Sequence, residues 1–278
     1  MRKMIRLMCL LLAMMSLFSA AFAAEELRGW DKKDGYVYLS FGEFPQTAGG
    51  YVEPILWRVL SADEEKVYIL SEYVLEARRI HGDYNQYANK PTHKKNPGFE
   101  GDYTQTEMAA YLNGEFALTR FTDGERDIIL PDETLGMFFL VSADDLKNKD
   151  YGFATNEDRK AWGTEYAKEN GLFVYSSARG KHSPYWTRSQ STSNKQAARC
   201  IKSKGELGYI NVITEDEGMR PACYLDMTKA IVASGSGTKE DPYILKTGEP
   251  ILAAPVTAPV EELTEIPEAT DEEIDLTE

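Results

Sequence analysis

The chain has 278 residues, of which 42% are hydrophobic and 27% are charged, and its formal net charge is −14. These values are typical of a globular protein, and they exclude a collagen, a coiled coil, a multi-pass membrane protein and a wholly disordered chain. The acidic balance argues against a nucleic-acid partner, because proteins of that kind neutralise phosphates with Lys and Arg.

Residues 1–23 have the features of a secretory signal peptide. Basic residues at positions 2, 3 and 6 precede an apolar run from Leu7 to Phe18, and Ala21 and Ala23 are the small residues that a signal peptidase recognises. The apolar run is short for a bilayer span, which makes a membrane anchor the less favoured alternative. The sequence therefore predicts a secreted protein, extracellular or periplasmic, that is cleaved before Ala24 and has no stable membrane anchor afterwards.

The other end of the chain, residues 246–278, is predicted to be a disordered acidic tail rich in Pro, Thr and Glu. It contains ten carboxylates, Lys246 as its basic residue, four prolines and no aromatic residue. Such a segment buries too little apolar surface to offset the entropy lost on ordering. Residues 24–245 are left as a single globular domain.

The domain mixes strand and helix signals. Apolar and aromatic runs predict three early strands, at 36–39, 55–60 and 67–70. Gly, Pro and polar residues predict loops at 41–46 and 81–103. Helix starts are predicted at Thr104, Thr122, Ser142 and Asn156, the last helix carrying Trp162 and Tyr166 four residues apart. Four later strands are predicted at 185–188, 197–201, 209–213 and 219–225. Helices among antiparallel strands, without β–α–β alternation, indicate the α+β class.

Cys200 and Cys223 are the cysteines that remain after cleavage of the signal peptide. An even number in an exported protein favours a disulfide, and both residues fall in strands predicted for the same antiparallel region. Two alternatives stay open. The thiols could be buried as small hydrophobic groups, or one of them could be a reactive nucleophile.

Several motifs, taken in chain order, resemble those of an uncharacterised bacterial family known as domain of unknown function 6273. The motifs that carry the resemblance, over about residues 36 to 228, are Phe41-Gly42-x-Phe44-Pro45-Gln46, Ile55-x-Trp57-Arg58-Val59-Leu60, Tyr111-Leu112-Asn113, Phe139-Leu140-Val141-Ser142, Tyr185-Trp186-x-Arg188-Ser189 and Gly218-Met219-Arg220-Pro221-Ala222. Residues 235–243 resemble a short closing motif found after bacterial surface domains.

The Trp-x-Arg-Ser and Gly-x-Arg pieces are also similar to the last strands of the C-type-lectin-like fold, as in formylglycine-generating enzymes. That resemblance implies helices flanking a small twisted, mainly antiparallel sheet. It implies no known activity.

The sequence offers no recognisable catalytic constellation. His81, His93 and His182 lack metal-ligand spacing, and the common nucleophile, zinc and phosphate-loop motifs are absent. The copper-binding cysteine pair of formylglycine-generating enzymes has no clear counterpart, so neither a metal nor a cofactor is predicted. Residues 215–217 (Glu-Asp-Glu) could offer oxygens to Ca²⁺, but a solvated turn is the favoured interpretation.

The candidate binding residues are arginines and loop aromatics. Arg188 and Arg220 lie in apolar strands, where they either hold loops to the sheet, the favoured interpretation, or form an anion or sugar-acid pocket. Trp57, Trp162 and Trp186 are interpreted as core residues rather than as a carbohydrate platform. The better binding candidates are in the polar loop, because aromatic and amide side chains suit sugar or peptide recognition, and they are Tyr84, Asn85, Tyr87 and Tyr103.

The leading hypothesis from the sequence is a secreted, non-enzymatic binding module for a surface glycan or protein. The alternative is an extracellular enzyme that acts on cell-wall or peptide substrates through carboxylates that the sequence does not single out. A concavity with several carboxylates of raised pKa would favour the enzyme, and a shallow aromatic groove would favour the binding module.

Overall fold

The computed structural model describes residues 27–63, 65–82, 102–175, 181–194 and 196–247. All of these residues fall within one compact unit that ends at Gly248. The predicted signal peptide, nearly all of the predicted acidic tail and most of the polar loop at 81–103 lie outside the described residues. In the described part of the chain, no helix is long and apolar enough to span a membrane.

Strands dominate the described residues. In chain order they are β1 Trp30–Asp31, β2 Gly35–Tyr36, β3 Tyr38–Pro45, β4 Val52–Ala62, β5 Lys66–Ser71, β6 Glu76–Ala77, β7 Ile129–Leu130, β8 Phe139–Leu140, β9 Ala161–Trp162, β10 His182–Ser183, β11 Tyr185–Gln190, β12 Ala197–Ile201, β13 Leu207–Asn211, β14 Gly218–Met219, β15 Pro221–Asp226, β16 Ala230–Ser234 and β17 Tyr243–Thr247.

Thirteen of these strands form two larger sheets, and the other four form two separate pairs, β1 with β2 and β9 with β10. The larger has the order β16-β17-β3-β4-β5-β15-β7, with β8 also pairing with β15, and the smaller has the order β13-β12-β11-β14-β6. Most pairs are antiparallel, but β17 runs parallel to β3 and β14 runs parallel to β11. The chain passes from the smaller sheet to the larger one at Arg220, between β14 and β15.

The helices are short. They are α1 Glu107–Tyr111, a π-helical turn Leu112–Phe116, α2 Ala117–Arg120, α3 Asp123–Asp127, α4 Asn156–Arg159 and α5 Glu165–Glu169. Single 3₁₀ turns occupy Tyr103–Gln105 and Asp145–Lys147. Few helices beside mainly antiparallel sheets confirm the α+β class predicted from the sequence.

Aromatic side chains fill the core between the larger sheet and the segment from α1 to α2. The Phe121 and Phe138 rings stack with centroids 4.5 Å apart, Phe116 meets Phe138 edge-on at 5.2 Å, and Trp57 from β4 stacks on Phe138 at 6.3 Å. Trp57 Nε1 donates a hydrogen bond of 2.7 Å to the carbonyl of Phe41, which satisfies its polar group inside the core.

The predicted strands at 55–60, 67–70, 185–188 and 197–201 are confirmed, whereas the loop predicted at 41–46 is wrong. Strand β3 continues to Pro45 and accommodates Gly42 as an irregularity in its pairing with β4. Gly42 has a φ of 64°, and a Cβ there would lie 2.2 Å from the Phe121 ring. Gly42 therefore allows the Phe121 ring, at the end of α2, to lie close to β3. It does not end the strand.

The predicted helix starts are correct in part. Thr122 and Glu125 form the capping box predicted at α3, with each side chain accepting from the other residue's backbone. The first helix begins two residues later than predicted, because Thr106 is its cap and Thr104 lies in the 3₁₀ turn. The segment after Ser142 forms a 3₁₀ turn. Helix α4 ends at Arg159, so the predicted helix through Trp162 is also wrong.

The predicted disulfide is wrong. Cys200 and Cys223 are free and buried. Cys200 lies in β12 of the smaller sheet, opposite Trp186 and Gly208, whereas Cys223 lies in β15 of the larger sheet, opposite Ile69. Because the chain changes sheets at Arg220, the two strands are not the neighbours that the sequence suggested. The alternative of two buried thiols is the one the structure supports.

We expect both thiols to react slowly in the native state of a chain that begins at Ala24. Burial raises the pKa of Cys200 to about 12 and that of Cys223 well above its ordinary value, so little thiolate is present at neutral pH. Unfolding in guanidinium without reductant should let an alkylating reagent label both residues, as mass spectrometry would show. A chain that takes up no label after unfolding would contain the bridge and contradict the structure.

Candidate functional site

Four segments that are distant in sequence meet at a cleft of about 500 Å³. They are the tip of the β3–β4 hairpin, the residues after β5, the segment from β9 to α5, and the loop between β16 and β17. The lining residues are Gln46, Glu53, Tyr73, Trp162, Gly163, Thr164, Glu165, Lys168 and Lys239.

Trp162 is the largest apolar side chain of the lining and is 41% exposed. Strand β9, which carries it, pairs with β10, where Trp162 is opposite His182. The two rings have centroids 4.5 Å apart, and the Trp162 carbonyl accepts a 2.9 Å hydrogen bond from the amide of Val74. The indole is thus held in place by its neighbours while a large part of its surface faces solvent.

Backbone hydrogen bonds join the other parts of the cleft. The amide of Tyr166 in α5 donates to the carbonyl of Gln46 at 3.1 Å, and the amide of Thr164 donates to the carbonyl of Val74 at 3.0 Å. The Thr164 hydroxyl caps α5 by accepting from the amide of Ala167 at 3.0 Å. The Gln46 side chain donates to the Pro54 carbonyl at 2.6 Å. The lining is therefore pre-formed, because hydrogen bonds join the segments that contribute to it.

The loop between β16 and β17 places Lys239. Gly235 and Gly237 have φ values of 95° and 77°, and a Cβ on Gly235 would lie 2.2 Å from the Pro242 carbonyl oxygen. The Gly237 carbonyl accepts from the amide of Tyr38 at 2.8 Å, which fixes the loop to β3. Residues 235–243 are the closing motif noted in the sequence. Its glycines permit the tight loop that brings Lys239 to the cleft.

Three charged groups of the lining, Glu165, Lys168 and Lys239, are ion-paired. Lys168 Nζ lies 2.7 Å from Glu165 Oε1, and this hydrogen bond holds the pKa of Glu165 below its ordinary value. Lys239 Nζ lies 2.8 Å from Oε1 of Glu72, which is itself buried. Burial opposes the charge on Lys239, but the hydrogen bond to Glu72 outweighs it and raises the lysine pKa. Glu165 is consequently ionised and Lys239 protonated at neutral pH.

Of the predicted loop candidates, the structure describes Tyr103, which is not part of this lining. Tyr84, Asn85 and Tyr87 lie outside the described residues. Tyr103 is buried, and its hydroxyl accepts a 3.3 Å hydrogen bond from the amide of Leu140. Burial raises the pKa of this phenol.

The two predicted arginines also lie away from the lining. Arg188 Nη1 donates to the Leu140 carbonyl at 2.7 Å and to Asp145 Oδ2 at 3.1 Å, which joins β11 to the turn after β8. Arg220 is fully buried, and its Nε donates to the Ser71 carbonyl at 2.6 Å. Each arginine therefore joins separate segments of the fold.

Two interpretations of single residues are wrong. Trp57 and Trp186 are core residues as predicted, but Trp162 is exposed in the cleft. The solvated turn predicted at 215–217 does not hold for Glu217, which is 6% exposed with Oε2 unpaired among the described residues. Burial and then the nearby charge of Asp216 raise the pKa of Glu217 to about 8.

The described residues include no group of three or more His, Cys, Asp or Glu placed to hold a metal.

The cleft could not be predicted from the sequence because its lining comes from segments up to 193 residues apart, from Gln46 to Lys239. A weak signal was present. Trp162 is followed by Gly163 and then by Thr164, and a glycine before a threonine N-cap is more typical of the start of a helix than of its interior. Moving the helix start to Thr164 would have placed the indole outside the helix.

Comparisons with known proteins gave one match, to a family model over part of the chain. No curated protein matches the chain, and no solved structure matches it. The model of the family described as Domain of unknown function (DUF6273) matches residues 131–227, a shorter stretch than the motifs suggested, and this match supports the assignment of that region to the family.

Proposed function

We propose that this protein is an exported, non-enzymatic binding module, and that the cleft around Trp162 binds a surface glycan. Export rests on the signal-like residues 1–23, and the C-type-lectin-like character of the fold belongs to the same proposal. The partner is a surface carbohydrate and neither nucleic acid nor a lipid bilayer. The acidic composition and the polar lining of the cleft support this choice.

The exposed indole of Trp162 carries the proposal. A sugar ring presents C–H groups on its faces and hydroxyls around its edge, so it suits an aromatic surface surrounded by hydrogen-bonding groups. Trp162 offers that surface, and Gln46, Glu53, Thr164 and Lys168 offer donors and acceptors in the same cleft. Because hydrogen bonds already join the segments of the cleft, little conformational entropy is lost by the protein when a ligand binds.

The enzyme alternative finds less support in the same cleft. A glycosidase needs a carboxyl group that donates a proton, with a raised pKa. Glu165 has the opposite property, since Lys168 lowers its pKa. Glu217 does have a raised pKa, but it lies outside the lining, in the turn before β14.

We expect Trp162→Ala to weaken glycan binding by about 30-fold, or roughly 2 kcal/mol, which is the size typical of a central aromatic contact. The purified domain would be applied to an array of bacterial, plant and animal glycans, with peptidoglycan fragments included. Affinities for the retained glycans would then be measured by calorimetry. Phe173→Ala is the matched control, because Phe173 is 47% exposed but does not line the cleft.

Four outcomes would count against the proposal. Retention of no glycan would end it. Equal losses in Trp162→Ala and Phe173→Ala would show that the cleft is not the binding surface. Loss of binding in Tyr84→Ala or Tyr87→Ala, with normal binding by Trp162→Ala, would place the site in the polar loop predicted from the sequence. Cleavage of a retained glycan, followed by mass spectrometry, would establish the enzyme alternative.

A further inference from the structure

Four charged side chains form a cluster next to the cleft. Glu72 is 3% exposed and accepts from Arg58, with Nε at 2.6 Å and Nη2 at 2.5 Å from Oε2. Its other oxygen, Oε1, accepts from Lys239 Nζ at 2.8 Å. Arg220 lies in the same region, since its Nε donates to the carbonyl of Ser71, the residue before Glu72.

The cluster has more positive than negative charge. Arg58, Arg220 and Lys239 face the single carboxylate of Glu72, whose two oxygens are already occupied by Arg58 and Lys239. Among the described residues, Nη1 and Nη2 of the buried Arg220 have no hydrogen-bond partner. The ring of Tyr185 lies 5.1 Å from the Arg220 Cζ, and this contact supplies no full negative charge. Two positive charges therefore remain uncompensated within the cluster.

Lys239 is the member of this cluster that lines the cleft. Its side chain is 35% exposed, and its Nζ lies 5.0 Å from the centre of the Tyr73 ring. Both residues line the cleft. An ammonium group has three donors, and Glu72 is the described acceptor of one of them. The remaining donors are available to a ligand on the cleft side.

Among the described residues, the carboxylates of the lining cancel only part of this excess. Glu165 is paired with Lys168, which leaves Glu53 as a further negative charge. When the lining and the cluster are taken together, four cations face three anions. A neutral ligand would leave this surplus uncompensated, whereas one anionic group would balance it.

Building on the proposed function, we propose that the cleft selects a glycan unit that carries a carboxylate. The carboxylate binds the Lys239 ammonium beside Tyr73, and the sugar ring lies against Trp162. Charge-assisted hydrogen bonds of this type are shorter and stronger than neutral ones, and they would provide the selectivity.

The test uses an array on which uronic-acid, sialic-acid and muramic-acid glycans are each printed beside their methyl esters. Neutral glycans and a poly-glutamate peptide complete the set. We expect an acidic glycan to be retained at least 10-fold more strongly than its ester, and this preference should shrink at high salt. Lys239→Met should weaken retention of the acid more than retention of its ester, so that the ratio of the two falls towards 1. Lys229→Met is the matched control, because Lys229 forms an ion pair with Asp226 away from the cleft.

Each other outcome has a defined meaning. If acid and ester bind equally and both are lost in Trp162→Ala, the glycan-binding function stands and the carboxylate inference is overturned. The same conclusion follows if only neutral glycans are retained. If poly-glutamate alone is retained, the ligand is an acidic peptide and both proposals fail. Both also fail if nothing is retained. Thermal unfolding of Lys239→Met would verify that the variant is folded, as we expect because Arg58 still neutralises Glu72.

Discussion

Glu72→Ala is expected to lower the free energy of unfolding by about 3–5 kcal/mol, the range typical when one partner of a buried ion pair is removed. Glu72 accepts from Arg58 and Lys239, and Arg58 is itself only 6% exposed. Without the carboxylate, the Arg58 and Arg220 guanidinium groups would be buried next to one another with no described counter-charge. Urea unfolding at pH 7 measures the loss.

A surface pair provides the control for this prediction. Glu157 pairs with Lys160 at 2.6 Å, but its side chain is 77% exposed, and pairs of this kind contribute about 0–1 kcal/mol. Glu157→Ala should therefore have little effect. If Glu72→Ala were as mild as Glu157→Ala, the two guanidinium groups would not depend on the carboxylate, and the charge imbalance described above would be incorrect.

Glu72 also makes part of the protein's stability sensitive to acid. Burial alone would raise the pKa of Glu72, but Arg58, followed by Arg220 and Lys239, holds it below its ordinary value. A lowered native pKa contributes stability above the pKa of the unfolded state, and this contribution is lost as the pH falls through the native pKa. Its loss therefore lies in the acid range below the ordinary glutamate pKa.

Glu217→Gln is expected to raise the free energy of unfolding, in contrast to Glu72→Ala, and its effect appears at higher pH. The pKa of Glu217 is raised to about 8 by burial and by the charge of Asp216, against an ordinary value of 4.5. A raised native pKa means that stability is fully present below the unfolded pKa and falls as the pH rises towards the native pKa. The glutamine variant does not ionise, so it should become the more stable protein as the pH rises from 4.5 to 8.

The shift sets the size of this effect. At about 1.4 kcal/mol for each pKa unit, the variant should gain up to about 5 kcal/mol at pH 9 and differ by no more than about 1 kcal/mol at pH 4. Urea unfolding of both proteins from pH 4 to pH 9, with reductant present to keep Cys200 and Cys223 as thiols, measures the difference. Glu215→Gln is the control in the same turn, because that side chain is 75% exposed. Parallel stability curves for wild type and Glu217→Gln would show that the carboxyl is solvated.

The sequence predicted those parts of the fold that depend on local chemistry. Strands β4 and β5 were predictable from their apolar runs, and the capping box at Thr122 and Glu125 was predictable because both residues belong to a single helical turn. The α+β class followed from the order of these elements. None of these predictions required knowledge of which distant segments come together.

The errors concern contacts between distant segments. The i, i+4 spacing of Trp162 and Tyr166 suggested one helical face, but pairing between β9 and β10 removes Trp162 from any helix. Cys200 and Cys223 were predicted to lie in strands of the same antiparallel region, because nothing in the local pattern shows that the chain changes sheets at Arg220. The cleft depends on Gln46, Trp162 and Lys239 meeting in space, which is a property of the tertiary fold.

The binding of a glycan at Trp162 is the central claim, and fluorine NMR of the domain labelled with 5-fluorotryptophan tests it most directly. The chain has four tryptophans, of which Trp57 and Trp186 are fully buried and Trp30 is half-buried. A Trp162→Phe variant would assign the fourth resonance. Titration with the glycan that the array retains most strongly should shift the Trp162 resonance in proportion to occupancy and leave the other three in place. Saturable binding with an unmoved Trp162 resonance would contradict the account.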